Sequence, residues 1–285
     1  MAPSARRGAP SIDWTAVAQA LGKAGAIQPG DVYKVGLPRT DLHVSLDGVA
    51  INPSLALGSW AAFKQTDSNQ AMVMGDLVLL ESEVAPVIAK LQEGGIEPTA
   101  IHNHLLRESP HVMYLHYRGS GDPVKLATTL HATLVLTGTP FGAPPPDAAA
   151  ALPGLDTAQL AHALGRSGKL NGAVYQVSVP RAEPVIEGGM EIPPAMGVAT
   201  AINFQPTGDH RAAISGDFVL IASEVNPVIR ALRENGIEIA ALHSHMLDES
   251  PRLLFMHFWA NDDAVKLAGG LQAALDLMNV NRPPS

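Results

Sequence analysis

The chain of 285 residues contains no cysteine. Disulfides, thiolate metal ligands, a cysteine nucleophile and a lipid-modified cysteine are therefore excluded, while the compartment stays open because a cysteine-free chain survives anywhere. Long apolar runs are missing as well: none approaches the roughly 18 residues of a membrane-spanning helix. Basic clusters are scarce. With a formal net charge of −8 and no Lys/Arg patch, neither nucleic acid nor an anionic membrane is an expected partner. The opening "MAPSARRGAPSIDW" has two arginines but no apolar segment behind them, so no signal peptide is expected on this chain. What is present reads as globular: 46% hydrophobic and 16% charged residues suit a folded rather than a disordered chain. The length suits one large domain or two medium ones with a sizeable core.

The chain repeats itself. An offset of 141 positions carries His102 to His243, and also Phe63 to Phe204, Asp76 to Asp217, Glu83 to Glu224, Pro86 to Pro227 and Lys125 to Lys266. Near the start of each copy the offset drifts, taking Tyr33 to Tyr175, Pro38-Arg39 to Pro180-Arg181 and Asp13 to Asp156. The copies run over residues 11–137 and 155–279. The Pro/Gly/Ala-rich stretch 138–154 between them reads as a linker.

Each copy predicts the same elements. Asp13 caps a short helix whose Trp14, Val17, Ala18 and Leu21 share a face. Strand-like pieces follow: "VYKVGLP", "HVSLDGVAI" with Asp47-Gly48 as a turn, "SWAAFKQ" and "AMVMGDLVLL". A helix is expected from about Ser82, with Pro86 tolerated in its first turn, a stripe of Val84, Val87, Ile88 and Leu91, and a stop at Gly94-Gly95. Strands at about 96–104 and 111–118 come next, joined by "LLRESP", and a helix from about Asp122 to Leu134 closes the unit. Sheets and helices without regular βαβ alternation make an α+β fold, here a tandem duplication of a mixed sheet-and-helix unit related by a pseudo-twofold.

The chemistry lies in "AIHNHLLRESPHVMYLH", residues 100–116, and "ALHSHMLDESPRLLFMH", residues 241–257. Of eleven histidines, six pair with one another across the repeat: His102 with His243, His104 with His245, and His116 with His257. The other five face a different residue type. Positions i and i+2 of a strand share a face, so His102 and His104 point the same way, and the returning strand brings His116 across from them. Glu108 and Glu249, in the connections, can fold over the open end. Three imidazoles and a carboxylate per copy suit a divalent transition metal: Zn, Mn, Fe, Ni or Cu. The expected metal ligands are His102, His104, Glu108 and His116, with His243, His245, Glu249 and His257 in the second copy. Both glutamates are alternatively candidate catalytic bases. A plainer reading makes these core histidines hydrogen-bonded to backbone or glutamate.

The segments "GDLVLLESEVAPVIAKLQEGGIEPTAIHNHLLRESPHVMYLH" and "GDFVLIASEVNPVIRALRENGIEIAALHSHMLDESPRLLFMHFWANDDAVKLA" resemble the bacterial LppY/LpqO lipoprotein-like family, a domain of unknown function. The likeness extends to "GSWAAF" and "GVATAINFQP". It implies a bacterial protein with relatives that are often exported and sometimes lipid-anchored, although this chain carries neither a lipobox cysteine nor a signal segment. It implies no activity. The HxH, Glu, His order is also similar to the cupin motif, but a helix precedes the HxH strand in both copies and the last histidine comes too soon, which points to similar ligand chemistry on a different fold.

Other positions read as structural. Tyr114, replaced by Phe255 in the second copy, is expected in the core. Arg39 and Arg181 either hold an anionic substrate group or pair with Asp41 and Glu183. Asp76 and Asp217, each after a glycine, read as turn or bulge residues. "GSGDPVKLA" lacks the Lys-Ser/Thr ending of a phosphate loop. The functional expectation is a metal-dependent enzyme of lyase, isomerase or hydrolase type acting on a small organic substrate. A non-enzymatic metal- or ligand-binding protein and a metal-free binding module are the alternatives. Self-association is left open.

Overall fold

The computed structural model describes residues 12–67, 69–142, 152 and 154–282. The expected opening segment, residues 1–11, and most of the expected linker, residues 143–151 and 153, lie outside them. The first copy runs α1 (Trp14–Leu21), β1 (Ala26–Gln28), β2 (Val32–Pro38), β3 (Ser45–Leu46), β4 (Val49–Ala50), α2 (Pro53–Ala56), β5 (Gly58–Asp67), β6 (Gln70–Leu80), α3 (Glu81–Glu93), β7 (Glu97–His102), β8 (Val112–Gly121) and α4 (Pro123–Leu134). The second copy repeats this order: α5 (Thr157–Ala163), β9 (Lys169–Asn171), β10 (Val174–Pro180), β11 (Ile186–Glu187), β12 (Met190–Glu191), a 3-10 turn (Pro194–Met196), β13 (Ala199–Gly208), β14 (Arg211–Leu220), α6 (Ala222–Glu234), β15 (Glu238–His243), β16 (Leu254–Asp263) and α7 (Ala264–Leu275). Each copy forms its own antiparallel six-stranded sheet, ordered β1-β2-β5-β6-β8-β7 and β9-β10-β13-β14-β16-β15. The α+β duplication is as expected.

The helix starts follow from their caps. Asp13, Asp122 and Asp156 each accept two backbone N–H groups of the first helical turn. The third helix begins one residue before the expected position. The Glu83 carboxylate reaches back to the Leu80 N–H at 2.8 Å, which fixes the start at Glu81 and leaves Ser82 inside the first turn. The same Glu83, with Asp41, clamps the buried Arg39, whose Nη1 also donates to the Val78 carbonyl. Arg181 repeats the arrangement with Glu183, Glu224 and the Val219 carbonyl. Both arginines therefore tie the end of one strand to the helix start and the sheet, and the anionic-substrate alternative has no free guanidinium to use.

Strand alternation sorts the core into layers. On β6, Val73, Leu77 and Leu79 face the helices with Leu115 and Tyr117 of β8. Met72, Met74 and Val78 of β6, with Val112 and Tyr114 of β8, face the other copy. Both faces of the central strands are buried, which is why they read as nearly continuous apolar runs. Between the sheets the copies exchange arms. Leu46, Val49, Ile51 and Leu55, around the β3–β4 hairpin and α2, pack with Val174, Ala213 and Trp259 of the second copy. Val185, Ile192, Met196 and Val198 of the second copy pack with Val32, Ala62, Met72 and Met74 of the first. Polar contacts cross the same seam: Gln205 with Asn52 and Ala50, Asn203 with Leu55, Asn103 with Ala240, and Arg118 with Glu187.

Removing one partner of a buried, hydrogen-bonded charge cluster leaves the others uncompensated. Arg181→Ala should lower the unfolding free energy by about 3–5 kcal/mol, read from urea unfolding curves. A loss below about 1 kcal/mol would mean that the cluster is effectively solvated.

Candidate metal centre

The site is built by register. Asp76 of β6 pairs directly with His116 of β8, and His116 pairs with Ala100 of β7. Asp217, His257 and Ala241 repeat the row in the second sheet. By alternation, Asp76 and His116 lie on the face that meets the other copy, in line with Met74, Val78 and Tyr114. His102 ends β7, and His104 lies two residues beyond it, outside the strand. The two rings nevertheless keep one direction, with centroids 5.0 Å apart. The "LLRESP" connection carries a cis Ser109–Pro110 bond, and its counterpart a cis Ser250–Pro251 bond.

The six repeated histidines meet in a single cluster at the seam. Ring centroids lie 3.5 Å apart for His102 and His243, 3.7 Å for His104 and His257, and 3.6 Å for His116 and His245. Tyr114 forms one wall, 3.3 Å from His104, with its hydroxyl donated to the Ala56 carbonyl. Phe255 forms the matching wall against His245 at 3.5 Å. The tyrosine hydroxyl is thus spent on the backbone, and the shared feature is the aromatic face.

Hydrogen bonds decide which ring nitrogen is free. Nδ1 of His257 contacts the Gly216 carbonyl at 2.8 Å, and His116 hydrogen-bonds the backbone of Gly75, the matching position. Nδ1 of His102 and of His243 contact the carbonyls of Asn103 and Ser244. A carbonyl oxygen only accepts, so Nδ1 carries the proton and Nε2 keeps its lone pair. All six Nε2 atoms are buried without a hydrogen-bond partner, as are Oδ1 of Asp76 and of Asp217. An unsatisfied buried polar atom costs roughly 1–3 kcal/mol. Eight of them amount to on the order of 10 kcal/mol, comparable to the whole net stability of a domain. A cation bound by these lone pairs removes that cost. Two sets bring their ligand atoms within 4.8 Å of one another: His102, His104 and His116, and His102, His243, His245 and His257.

Burial sets the protonation. It pushes His102 down to about 3 and His243 down to about 4. His104, His116, His245 and His257 are held well below the ordinary imidazole range by burial and then by one another. All six are neutral at pH 7, the form that binds metal. Asp76 is pushed up to about 7 by burial, against the pull of Lys34. Asp217 is raised by burial and by Asp76.

The two glutamates are not brought to the cluster. Glu108 accepts from the Val112 N–H and contacts His111 Nδ1 at 2.7 Å. Glu249 accepts from the Leu253 N–H and from Arg252. Each carboxylate closes its own connection onto the next strand, and neither joins the grouped histidines, although Oε2 of Glu108 is buried without a partner. The carboxylates beside the imidazoles are those of Asp76 and Asp217, which read from sequence as turn or bulge residues and here lie within β6 and β14. Oδ2 of Asp76 lies 3.9 Å from His104 Nε2 and 3.7 Å from His116 Nε2, and Oδ2 of Asp217 lies 3.6 Å from His245 Nε2. A signal for them was available. They are lone acids inside apolar strands, "AMVMGDLVLL" and "RAAISGDFVL", and they pair across the repeat as the histidines do.

The family model described as Domain of Unknown Function (DUF1259) matches residues 15–135 and again residues 158–277. The chain belongs to this family. Each DUF1259 match holds one complete helix-flanked sheet and one set of three histidines and an aspartate, so the histidine cluster draws on both matches. No curated protein matches the chain. Among solved structures, a trimeric bacterial microcompartment shell protein, PduB, is 14% identical, covering 91% of this chain and 96% of that one, with a TM-score of 0.23. EtuB from Clostridium kluyveri is 11% identical, covering 94% of this chain and 93% of that one, with a TM-score of 0.21. At those scores the likeness shows neither a shared fold nor a shared role.

The metal-free protein should lose stability in acid. The unfolded chain protonates its histidines near pH 6.5, whereas the folded cluster keeps them neutral down to about 4 and 3 at His243 and His102. Their contribution is present above about pH 6.5 and is lost as pH falls through the folded values. Asp76 and Asp217, raised in the fold, act in the opposite sense, but six imidazoles outnumber two carboxylates. Urea midpoints in the presence of chelator should therefore fall steadily from pH 6.5 to pH 4. A flat or rising midpoint over that range would show that the cluster is not buried neutral.

Proposed function

We propose that the chain binds divalent transition metal at a centre built jointly by its two repeats. The observation that carries this reading is the set of six buried, unpartnered Nε2 atoms gathered at the seam, four of them fixed as lone-pair donors by the bond their Nδ1 makes to a backbone carbonyl. Nitrogen-rich donors without thiolate suit Zn, Cu, Ni, Fe or Mn, with affinity rising toward Cu along the usual order. Backbone carbonyls that fix four of the ring tautomers supply the outer support that metal-binding histidines ordinarily have. The likeness to the LppY/LpqO lipoprotein-like family, carried by residues 75–116 and 216–268, supports a bacterial source. Among the described residues no helix is long and apolar enough to cross a membrane.

Because both repeats contribute, damage to either one should lower the metal content. Elemental analysis of protein purified without chelator should find stoichiometric metal in the wild type and a large loss in both His104→Ala and His257→Ala. Protein that carries no metal, and takes up none on titration with Zn, Mn, Fe, Ni or Cu, would exclude the reading.

A second reading, a metal-dependent enzyme acting on a small substrate, is favoured by one feature. A cavity of about 10 Å³, room for roughly one water, lies against His116 and His245 and is bounded by Trp60, Tyr117, Met196 and Met246. Catalytic metal needs such an open position. Azide added to cobalt-substituted protein should then shift the visible spectrum by taking that position. An unchanged spectrum would favour a sealed, non-enzymatic metal-binding centre.

A further inference from the structure

The number and arrangement of donors go further than one ion. We propose that the centre holds two metal ions, and that Asp76 and Asp217, rather than Glu108 and Glu249, supply its carboxylate ligands. This rests on the metal-binding reading above and adds to it the stoichiometry and the oxygen donors.

The first support is the facing of lone pairs. His116 Nε2 carries no proton, because its other ring nitrogen is the one bonded to the Gly75 backbone. It nevertheless faces Oδ2 of Asp76 at 3.7 Å, and His104 Nε2 faces the same oxygen at 3.9 Å. His245 Nε2 and Oδ2 of Asp217 repeat the contact at 3.6 Å. These distances are too long for a hydrogen bond from a protonated carboxyl, which would close to about 2.6–3.0 Å. At His116 and Asp76 two acceptors thus face each other in a buried space, and they repel unless a cation lies between them. Donors bound to one ion at about 2.0–2.2 Å sit roughly 3–4 Å from each other, and the observed contacts fall in that range.

The second support is the count. Six imidazoles and two carboxylates exceed the four to six donors that one first-row ion takes. They divide by repeat into His102, His104, His116 and Asp76, and His243, His245, His257 and Asp217, each with three nitrogens and one oxygen. Both metal-capable histidine groups contain one repeat's full triad, and His102 is common to the two. Ring contacts of 3.5–3.7 Å between the repeats press the sets together, so two ions bound there share one chamber, as in two-metal sites. The third support is the remaining oxygens: Oδ1 of both aspartates is buried and unpartnered, which leaves each carboxylate a second donor atom for the same chamber.

The test is metal stoichiometry in the full chain, loaded with Zn and dialysed, together with electron paramagnetic resonance of the Mn-loaded form. Wild type should hold two ions per chain and show a spectrum broadened by coupling between them. Asp76→Asn and Asp217→Asn, isosteric and neutral, should each hold about one ion and give an uncoupled spectrum. Glu108→Gln should keep two. Circular dichroism of the chelated proteins checks that the variants fold. One ion per chain in wild type would overturn the two-metal proposal while leaving the metal-binding reading intact. So would two ions retained at unchanged affinity in both Asn variants, or loss of an ion in Glu108→Gln. Wild type that binds no Zn or Mn at all would instead remove the metal-binding reading itself.

Discussion

Six neutral imidazoles pressed face to face between two sheets are the constraint on which the rest of the molecule depends. Apolar side chains at those positions would bury the seam without cost. Histidines there bring lone pairs into a space that solvent does not reach, and each lone pair needs something positive. The protein has used its backbone to point them inward. Carbonyls of Gly75, Gly216, Asn103 and Ser244 take up the other ring nitrogen of four of them, so at His116, His257, His102 and His243 the free lone pair belongs to Nε2.

That convergence needs the copies held in one relation, and the exchanged arms provide it. Each sheet has its own helices on one face, which closes half of its core within one repeat. The other face is covered by a hairpin or turn from the partner repeat. Separating the repeats would expose Val32, Ala62 and Met74 on one side and Val174 and Ala213 on the other. At about 25 cal/mol per Å² of apolar area, that exposure opposes separation strongly. The buried Arg39 and Arg181 clusters act one layer further out. They lock the strand leading into each arm to the helix start beside it, so the arm leaves its own sheet in a fixed direction.

Much of the fold could be read from the sequence because it is written in local periodicity. The duplication, the Asp caps and the alternation of β6 and β8 all follow from residues near each other in the chain. The repeated histidines were legible for a similar reason, since one ends a strand, the next lies two residues beyond it and the third returns on the neighbouring strand. The carboxylates show where local reading stops. Glu108 and Glu249 are close to the histidines in sequence, but the tight connection turns them back onto the next strand. Asp76 and Asp217 are distant in sequence and arrive through the pairing of β6 with β8 and of β14 with β16, a long-range register that no short motif encodes. The meeting of the two histidine sets was equally illegible, because it depends on how whole sheets face each other.

The pattern of divergence between the repeats bears on how the centre is used. The eight inward-facing residues pair by type, while what surrounds them does not. Tyr114 is matched by Phe255, Trp60 by Ala201, and Lys34 by Gln176. Lys34 lies 4.2 Å over the Trp60 ring and donates to the Ala195 carbonyl, which props one wall of the cavity beside His116 and His245. At the corresponding positions of the second repeat stand Ala201 and Gln176, and Gln176 donates to Asn203 instead. Two sets of residues of the same composition therefore sit in unlike surroundings. A purely structural role for the cluster would ask only that both sets be filled. Unlike walls around like residues give the two halves of the cluster different polarity, so the duplication has kept the inward-facing residues while the packing around them has diverged.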